Sequence, residues 1–327
     1  MMKVSILVAV YNGEKFIRRC LDSLVSQTYG NIEIVCIDDA SKDNSTEIIS
    51  DYARHDERIK LIRHDQNKGA AEARNTGIKE CSGDIIGYLD ADDYYAADTI
   101  ERLVNVFEAH DDADCVLYRC VLVDKDGKQK DYEGLKFSVL EGREAFLESL
   151  TWNIHGVYAA KAWLWKEYPM DTTRRHFSDD NTCRKHYIKS KKVYQSDAPY
   201  YYLYNPDSIS NQVSISRMDY IAASQSMKRQ LQELEVGEDI MRRYETERVK
   251  ILVDCYLFYY KYRNQMSKAD KEYCLSELKT GWESIDARLA DDKMTRKLGY
   301  NPCKKSWALF RLQEEFYFFL KKISGRL

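Results

Sequence analysis

The sequence predicts an α/β protein: a doubly wound, mostly parallel sheet followed by an all-helical C-terminal extension. Three observations lead there. Short, nearly all-apolar runs such as Val4–Val10 recur through the first third of the chain, as expected of strands buried on both faces. Segments with apolar residues at helical spacing lie between them. From about Arg217 the pattern changes to long helical stretches almost free of Gly and Pro.

The elements follow in order. After Val4–Val10, the residues Phe16, Ile17, Cys20, Leu21, Leu24 and Val25 mark a first helix, and Ile32 to Ile37 a second strand ending at Asp38-Asp39. Ile48, Ile49, Tyr52 and Ala53 mark a second helix with Asp43 or Asn44 as its N-cap. Ile59 to Ile62 is a third strand and Ala70 to Glu80 a third helix, broken by Ser82-Gly83. Asp84 to Leu89 is a fourth strand that runs into Asp90-Ala91-Asp92-Asp93. A helix near Ala96 carries Ile100, Leu103, Val104 and Phe107, and Asp114 to Tyr118 is a fifth strand. Such alternation predicts right-handed crossovers in one sheet. Asp126-Gly127 predicts a hairpin within Val121–Lys128, Glu141 to Leu150 a helix, and Lys192 to Tyr204 an aromatic strand containing Pro199. Helices over Met218–Glu235, Asp239–Asn264, Lys268–Leu289 and Lys304–Ile323 complete the chain, with a domain boundary near residue 215.

Composition narrows the function. The 327 residues, 44% hydrophobic and 31% charged, suit a globular domain with an appendage rather than a disordered chain. A formal net charge of -3 gives no basic field for nucleic acid. The nine cysteines form no CxxC pair and no zinc spacing, so they read as reduced thiols in a reducing, cytoplasmic compartment. Neither a signal peptide nor a run of about 18 apolar residues is expected.

The polar residues carry the chemistry. In an open α/β sheet, ligands bind beyond the carboxyl ends of the strands. The first strand ends in Tyr11-Asn12-Gly13-Glu14, the second in Asp38-Asp39-Ala40-Ser41-Lys42-Asp43 and the fourth in Asp90-Ala91-Asp92-Asp93. On one rim these carboxylates would repel each other unless a cation or hydrogen-bond donors sat among them. Asp90-Ala91-Asp92 suits Mg²⁺ or Mn²⁺, which would bridge a diphosphate and offset its charge as it leaves. The bland alternative is a solvated acidic turn capping the helix near Ala96. Lys68, at a helix N-terminus, and Arg74 supply cations near the same rim. For Arg74 the alternative is pairing within its helix, with Glu72 or Glu80.

Val8-Ala9-Val10-Tyr11-Asn12, Asp38 through Thr46, Asn67-Lys68-Gly69 with Ala73-Arg74-Asn75-Thr76-Gly77, and Tyr88-Leu89-Asp90-Ala91-Asp92-Asp93 occur in that order. Together they resemble the family 2 glycosyltransferases of GT-A fold, closely over about residues 1–125 and more loosely to about 215. The resemblance implies an inverting transfer from a nucleotide-sugar, normally a UDP-sugar, to an acceptor hydroxyl, with Mn²⁺ or Mg²⁺ as cofactor. It implies a GT-A catalytic domain over 1–215, split into a nucleotide-sugar half (about 1–125) and an acceptor half (about 126–215), with residues 216–327 as the helical domain. Carried onto this sequence, Val10, Tyr11, Asn12 and Glu14 would line the nucleoside pocket. Asp38 or Asp39 would hydrogen-bond the base, and Lys68 and Arg74 would hold the nucleotide. Asp90 would sit by the ribose, and Ala91 would belong to the same nucleotide-sugar site. Asp92 would ligate the metal, with Asp90 as second candidate.

The family's general base is an Asp in a downstream Glu-Asp pair. Here His176-Phe177-Ser178-Asp179-Asp180-Asn181 offers Asp180 as the base, with Asp179 in place of the Glu. Tyr200-Tyr201-Tyr202 and Ser208-Ile209-Ser210 support that register, although Leu203 stands where a basic residue is common. The alternative is that Asp179-Asp180 only caps a helix at Asn181. His155, His176 and His186 lack metal-ligand spacing and read as surface or structural. Trp152, Trp163 and Trp165 suit either sugar stacking or packing. The terminal segment around Trp307, Phe310, Phe316 and Phe319, with Lys and Arg at both ends, suits an anionic membrane surface or a core-packing helix. The acceptor is expected to be a saccharide or lipid-linked oligosaccharide of a growing surface polysaccharide. Peripheral contact with the inner membrane face and oligomerisation are further expectations. Two alternatives remain open. One is a sugar nucleotidyltransferase, whose glycine-rich basic loop has no counterpart at Tyr11-Asn12-Gly13-Glu14. The other is a silent nucleotide-binding module.

Overall fold

The computed structural model of the chain describes residues 1–177, 179–206 and 213–326. These fall into two compact units, one of residues 1–175 and 179–206, the other of residues 176–177 and 213–326.

The first unit is built on one sheet. Its strands are β1 (Val4–Val10), β2 (Ile32–Asp38), β3 (Ile59–Arg63), β4 (Ile85–Tyr88), β5 (Tyr94–Tyr95), β6 (Ala113–Val123), β7 (Gln129–Asp131), β8 (Val139–Glu141), β9 (Tyr158–Lys161) and β10 (Lys192–Leu203). The order is β3-β2-β1-β4-β9-β6-β10-β5, with β7 on β6 and β8 on β10. Strands β3, β2, β1 and β4 run parallel. Strand β9 is antiparallel to both β4 and β6, so β6, and β10 parallel to it, point the same way as β1. The carboxyl ends of β1, β2 and β4 therefore share one rim.

Helices α1 (Ile17–Val25), α2 (Ser45–His55), α3 (Ala70–Glu80), α4 (Thr99–Ala109), α5 (Gly142–Ser149), α6 (Ala162–Glu167) and α7 (Asp179–Lys189) connect the strands. Every residue of β2 is buried, as the apolar run required. Helix α3 lies close on this layer because residue 77 is glycine. A Cβ there would stand 2.6 Å from both Ile37 Cδ1 and Leu7 Cδ2. At the opposite end of the strands, Ser5 Oγ, Ser82 N, Lys60 Nζ and Lys3 Nζ all donate to the buried Glu33 carboxylate. Burial pushes that group up, but these donors outweigh it and hold it well below the usual range.

Several boundaries differ from expectation. Strand β5 intervenes after Asp93, so α4 starts at Thr99 rather than near Ala96, and the acidic turn caps no helix there. Strand β6 runs on to Val123, pairing with β7 across the Asp126-Gly127 turn, where Gly127 has φ 78°. Strand β9 and helix α6 carried no periodic signal, being only 4 and 6 residues long. Helix α7 begins at Asp179 itself, so Asp179 and Asp180 are first-turn residues rather than caps before Asn181. Carboxylates are favoured there by the helix dipole. At α2 the cap bond comes from Asp43, whose Oδ1 accepts from Ser45 N at 3.0 Å; Asn44 makes none with its side chain.

The second unit is helical: a short 3₁₀ turn (Ile215–Met218), then α8 (Asp219–Glu233), α9 (Glu238–Tyr262), α10 (Lys268–Ser284), α11 (Asp292–Thr295) and α12 (Trp307–Ile323). It has its own core, in which Met218, Val249, Leu252, Tyr256, Leu278, Phe310 and Phe318 meet. Helix α12 turns Phe310, Glu314 and Phe318 into that core at four-residue spacing. Among the described residues no helix is long and apolar enough to cross a membrane. All nine cysteines are free, eight of them buried.

Candidate active site

The loops after β1 and β2 are laced together. Asn12 N donates to Ser41 Oγ at 3.0 Å, and Asn12 Oδ1 accepts from Lys42 N at 2.9 Å. Gly13 N donates to Ser45 Oγ at 2.8 Å, Glu14 N to Asp43 Oδ2 at 3.0 Å, and Glu14 Oε2 accepts from Asn44. Asn12 (φ 53°) and Ala40 (φ 62°) both hold left-handed backbone, where a side chain costs roughly 1–2 kcal/mol. Strain of this kind persists where the surroundings over-determine it, commonly at binding sites. Val10 is buried beneath this turn, and a Cβ on Gly13 would meet Val10 Cγ1 at 3.2 Å and Ala91 Cβ at 3.7 Å. The β1 loop thus rests on the acidic turn after β4.

That turn is held from several sides. Asp93 is buried; its carboxylate accepts from Tyr200 Oη at 2.7 Å and from Leu203 N at 2.8 Å. Asp92 Oδ2 accepts from Asn205 Nδ2 at 2.9 Å, and Arg19 Nη2 donates to the Asp92 carbonyl at 2.7 Å. Burial, then the Asp90 charge, push the Asp92 carboxyl above its ordinary value, with the Asn205 bond opposing. Arg74, buried inside α3, donates to Asp90 Oδ1 and lies 4.4 Å over the Tyr88 ring. Its partner is therefore Asp90 across the rim, not Glu72 or Glu80. Among the described residues no three His, Cys, Asp or Glu side chains are grouped to hold a metal alone. Mg²⁺ and Mn²⁺ commonly take one or two carboxylates and complete their shell with substrate phosphates and water. Asp92 beside Asp90, hard oxygen donors whose mutual repulsion a cation relieves, fit such an ion.

Among the loops that follow β1, β2 and β3 is an open groove of about 740 Å³, bordered by Tyr11, Ser41, Lys42, Arg63, His64 and Asn67. Tyr11 is 46% exposed. Neither Asp38 nor Asp39 borders the groove. Asp38 is wholly buried, accepting from Ser41 N and Thr46 Oγ1. Asp39 accepts from Lys68 N and Gly69 N and lies 2.7 Å from His64 Nδ1. Asp39 thus pins the loop that leads into α3, while the Lys68 side chain stays exposed.

At the start of α7, Asp180 lines a cavity of about 30 Å³ with Tyr88, Trp165, Asp179 and Cys183. That is room for about one water-sized group. Burial, then the Asp179 charge, push the Asp180 carboxyl up to about 7, against the lowering effect of Arg184. Tyr88 joins the two halves: its ring carries Arg74 and lines the Asp180 cavity. His186 and His155 are buried and pushed down to about 4 by that burial, so both are neutral packing groups. His186 bonds Tyr158 Oη and the Tyr168 carbonyl, each at 2.7 Å. Trp165 is core, its indole donating to the Ile86 carbonyl at 2.9 Å, whereas Trp152 and Trp163 are exposed. Ser178 and Ser208-Ile209-Ser210 lie outside the described residues.

Sequence reasoning missed Asp93, Tyr88, Asn205, Arg19 and His64. Asp93 had a signal, as the third acid in the four residues after a buried strand. Tyr88 stood in the quoted motif but with no role, and Arg19 had no signal, because their contacts come from residues elsewhere in the chain.

A family model described as glycosyl transferase family 2 matches residues 5–193, more than half of the chain. The uncharacterized glycosyltransferase EpsJ of Bacillus subtilis (strain 168) is 45% identical over 118 residues, 36% of this chain and 34% of that protein. The glycosyltransferase GlyG of Streptococcus pneumoniae is 31% identical over 219 residues, 63% of this chain and 72% of that protein. A poly(ribitol-phosphate) beta-glucosyltransferase of Bacillus spizizenii is 32% identical over 213 residues, 63% of this chain and 33% of that protein. The match with EpsJ thus spans about a third of that relative's length. Residues 1–349 of S. aureus TarS have the same fold, with a TM-score of 0.74 at 19% identity over 97% of this chain and 91% of that one. The fold is GT-A with a C-terminal helical region, and the chain belongs to glycosyltransferase family 2.

Proposed function

We propose that the chain is an inverting, metal-dependent glycosyltransferase that moves a sugar from a UDP-sugar to a hydroxyl of a saccharide or lipid-linked acceptor, in cell-surface polysaccharide biosynthesis. One observation carries this reading. The acidic turn at Asp90–Asp93 and a carboxyl raised to about 7 at Asp180 share a neighbour, Tyr88. One end suits a diphosphate and its counter-ion; the other suits proton transfer near neutral pH. That TarS has been solved with UDP and with UDP-GlcNAc, and that one relative is a poly(ribitol-phosphate) beta-glucosyltransferase, supports a UDP-sugar donor and a polymeric acceptor.

In this reading the base lies in the groove against Tyr11. Val10 and Glu14 shape the turn that carries Tyr11 and Asn12, and Asp38 holds the facing turn from below. Asp39 sets the loop that presents Lys68. Arg74 fixes Asp90 and Ala91 by the ribose. Asp92, with Asp90 as second candidate, would hold Mg²⁺ or Mn²⁺, which supplies charge against the departing diphosphate. Asp180 takes the proton of the acceptor hydroxyl as that oxygen forms its bond to the anomeric carbon. The bond from the anomeric carbon to the diphosphate oxygen breaks with its electron pair on UDP, and the configuration inverts. The nine free cysteines favour a reducing, cytoplasmic setting.

The test is a thermal-shift panel of nucleoside diphosphates with and without Mn²⁺. Stabilisation follows ligand concentration over Kd, so the panel ranks the nucleotides directly. UDP with Mn²⁺ is expected to give the largest rise in Tm. No shift with any nucleotide would sink the proposal.

A further inference from the structure

Helix α12 has two apolar faces, and only one of them is used. Phe310, Glu314 and Phe318 point into the core of the helical unit. Between Ala308 and Ile323 the exposed residues are Ala308, Leu309, Leu312, Phe316, Phe319, Lys322 and Ile323, so all but one are apolar. At the helical repeat the six apolar ones fall within about 100° of the circumference, on the side away from the core. Leu312 is 67% and Ile323 66% exposed. Solvated helix faces are normally charged, so a continuous stripe of this kind marks an interaction surface.

Charge selects the occupant. The helix's two acids are spent elsewhere: Glu314 is buried, and Glu315 accepts from Arg263 and Tyr256. Exposed cations bracket the stripe instead, Lys304 and Lys305 before the helix and Lys322 and Arg326 at its end. Two open grooves along α12 repeat the pattern. The first, of about 770 Å³, is bordered by Leu309, Leu312 and Phe316 with Lys304 and Lys305. The second, of about 700 Å³, is bordered by Leu320 and Ile323 with Lys321 and Arg326. A second copy of this helix is a poor occupant, because parallel and antiparallel pairing along the stripe both set lysine or arginine ends against each other with no acid between. An anionic bilayer meets both demands, taking the apolar stripe among its acyl chains and the cations at its headgroups. We infer that this face of α12 docks on an anionic lipid surface as a peripheral, in-plane helix. The inference rests on the helical unit alone and does not depend on the proposed sugar transfer.

The experiment is co-sedimentation of the full 327-residue chain with vesicles of phosphatidylcholine alone or with about one-third phosphatidylglycerol. The chain is expected to pellet with the anionic vesicles, weakly with the neutral ones, and less as salt rises. Leu312→Ser with Phe316→Ser should cut partitioning about tenfold or more. Lys305→Gln with Arg326→Gln should cut it about twenty-five-fold on anionic vesicles only, each cation contributing about fivefold. Melting curves of the variants report folding, and Phe319→Ser alone serves if the double variant melts early. Failure to bind anionic vesicles, or equal binding by the variants, overturns the inference. So does a dimer in light scattering that Phe316→Ser disperses without any vesicle binding, which would assign the face to a second copy.

Discussion

Arg74 and Asp90 are ion-paired at the carboxyl end of β4, with the guanidinium carbon 4.4 Å from the centre of the Tyr88 ring. The pair reaches from α3 to the acidic turn. While Arg19 of α1 donates to the Asp92 carbonyl, Arg74 neutralises part of the Asp90 charge from within α3. Arg74→Met leaves that charge uncompensated. Asp90 is 37% exposed, so the expected loss is about 2 kcal/mol in urea denaturation, below the cost of breaking a fully buried pair. UDP affinity by calorimetry should fall about tenfold. An unchanged affinity would mean that Arg74 serves the fold alone.

Asp93 anchors the turn to β10 by accepting from Tyr200 Oη and Leu203 N. Asp93→Ala strands two donors in the interior, at a cost of roughly 2–4 kcal/mol by the usual price of each buried unsatisfied group. The turn that carries Asp92 should loosen with it, so Mn²⁺-dependent nucleotide stabilisation should drop further than nucleotide stabilisation without metal. Equal losses in both would show that the tie does not position Asp92.

Gly77→Ala tests the seat of α3. The added methyl would stand 2.6 Å from Ile37 Cδ1 and Leu7 Cδ2. Both are buried in a packed sheet face, so overpacking should cost roughly 1–3 kcal/mol. Urea midpoints with unchanged slope would report it. A neutral result would mean that α3 can ride up off the sheet freely.

The Asp180 carboxyl, raised to about 7, gives a pH limb. A base works ionised, so turnover should climb as pH rises through about 7 and level off above it. Arg184 holds that value down, and Arg184→Met should move the limb to higher pH. Stability runs the other way. A carboxyl raised in the fold contributes at low pH, and that contribution fades as pH rises from the ordinary carboxylate range through about 7. Asp180→Asn should therefore gain stability over the unsubstituted chain in alkaline buffer, read from urea melts across that window.

The parallel half of the sheet was legible because Val4–Val10 and Ile32–Asp38 are buried on both faces, which leaves a continuous apolar signature. Strand β9 and helix α6 were not, since Tyr158–Lys161 and Ala162–Glu167 are too short to show a period. The acidic turn stood out through its carboxylates at a strand end. The inward use of Asp38 and Asp39 did not, because a carboxylate spent on backbone donors reads in sequence like one facing a ligand. Tyr200, an aromatic in a strand run, gave no hint that its hydroxyl would hold Asp93. The solvent stripe of α12 was hidden for a related reason. Its aromatics sit on both sides of the helix, and only the packing of Phe310 and Phe318 tells which side is spent.

Asp180 is the proposed base at a donor site built around Asp92. The direct measurement is release of UDP from a UDP-sugar with Mn²⁺ and a saccharide acceptor, alongside UDP affinity, for the unsubstituted chain and for Asp180→Asn. Asp180 as general base predicts UDP affinity within about twofold of the parent and a rate lowered about a hundredfold or more, the usual share of such a group. Transfer by Asp180→Asn at the parent rate would contradict it.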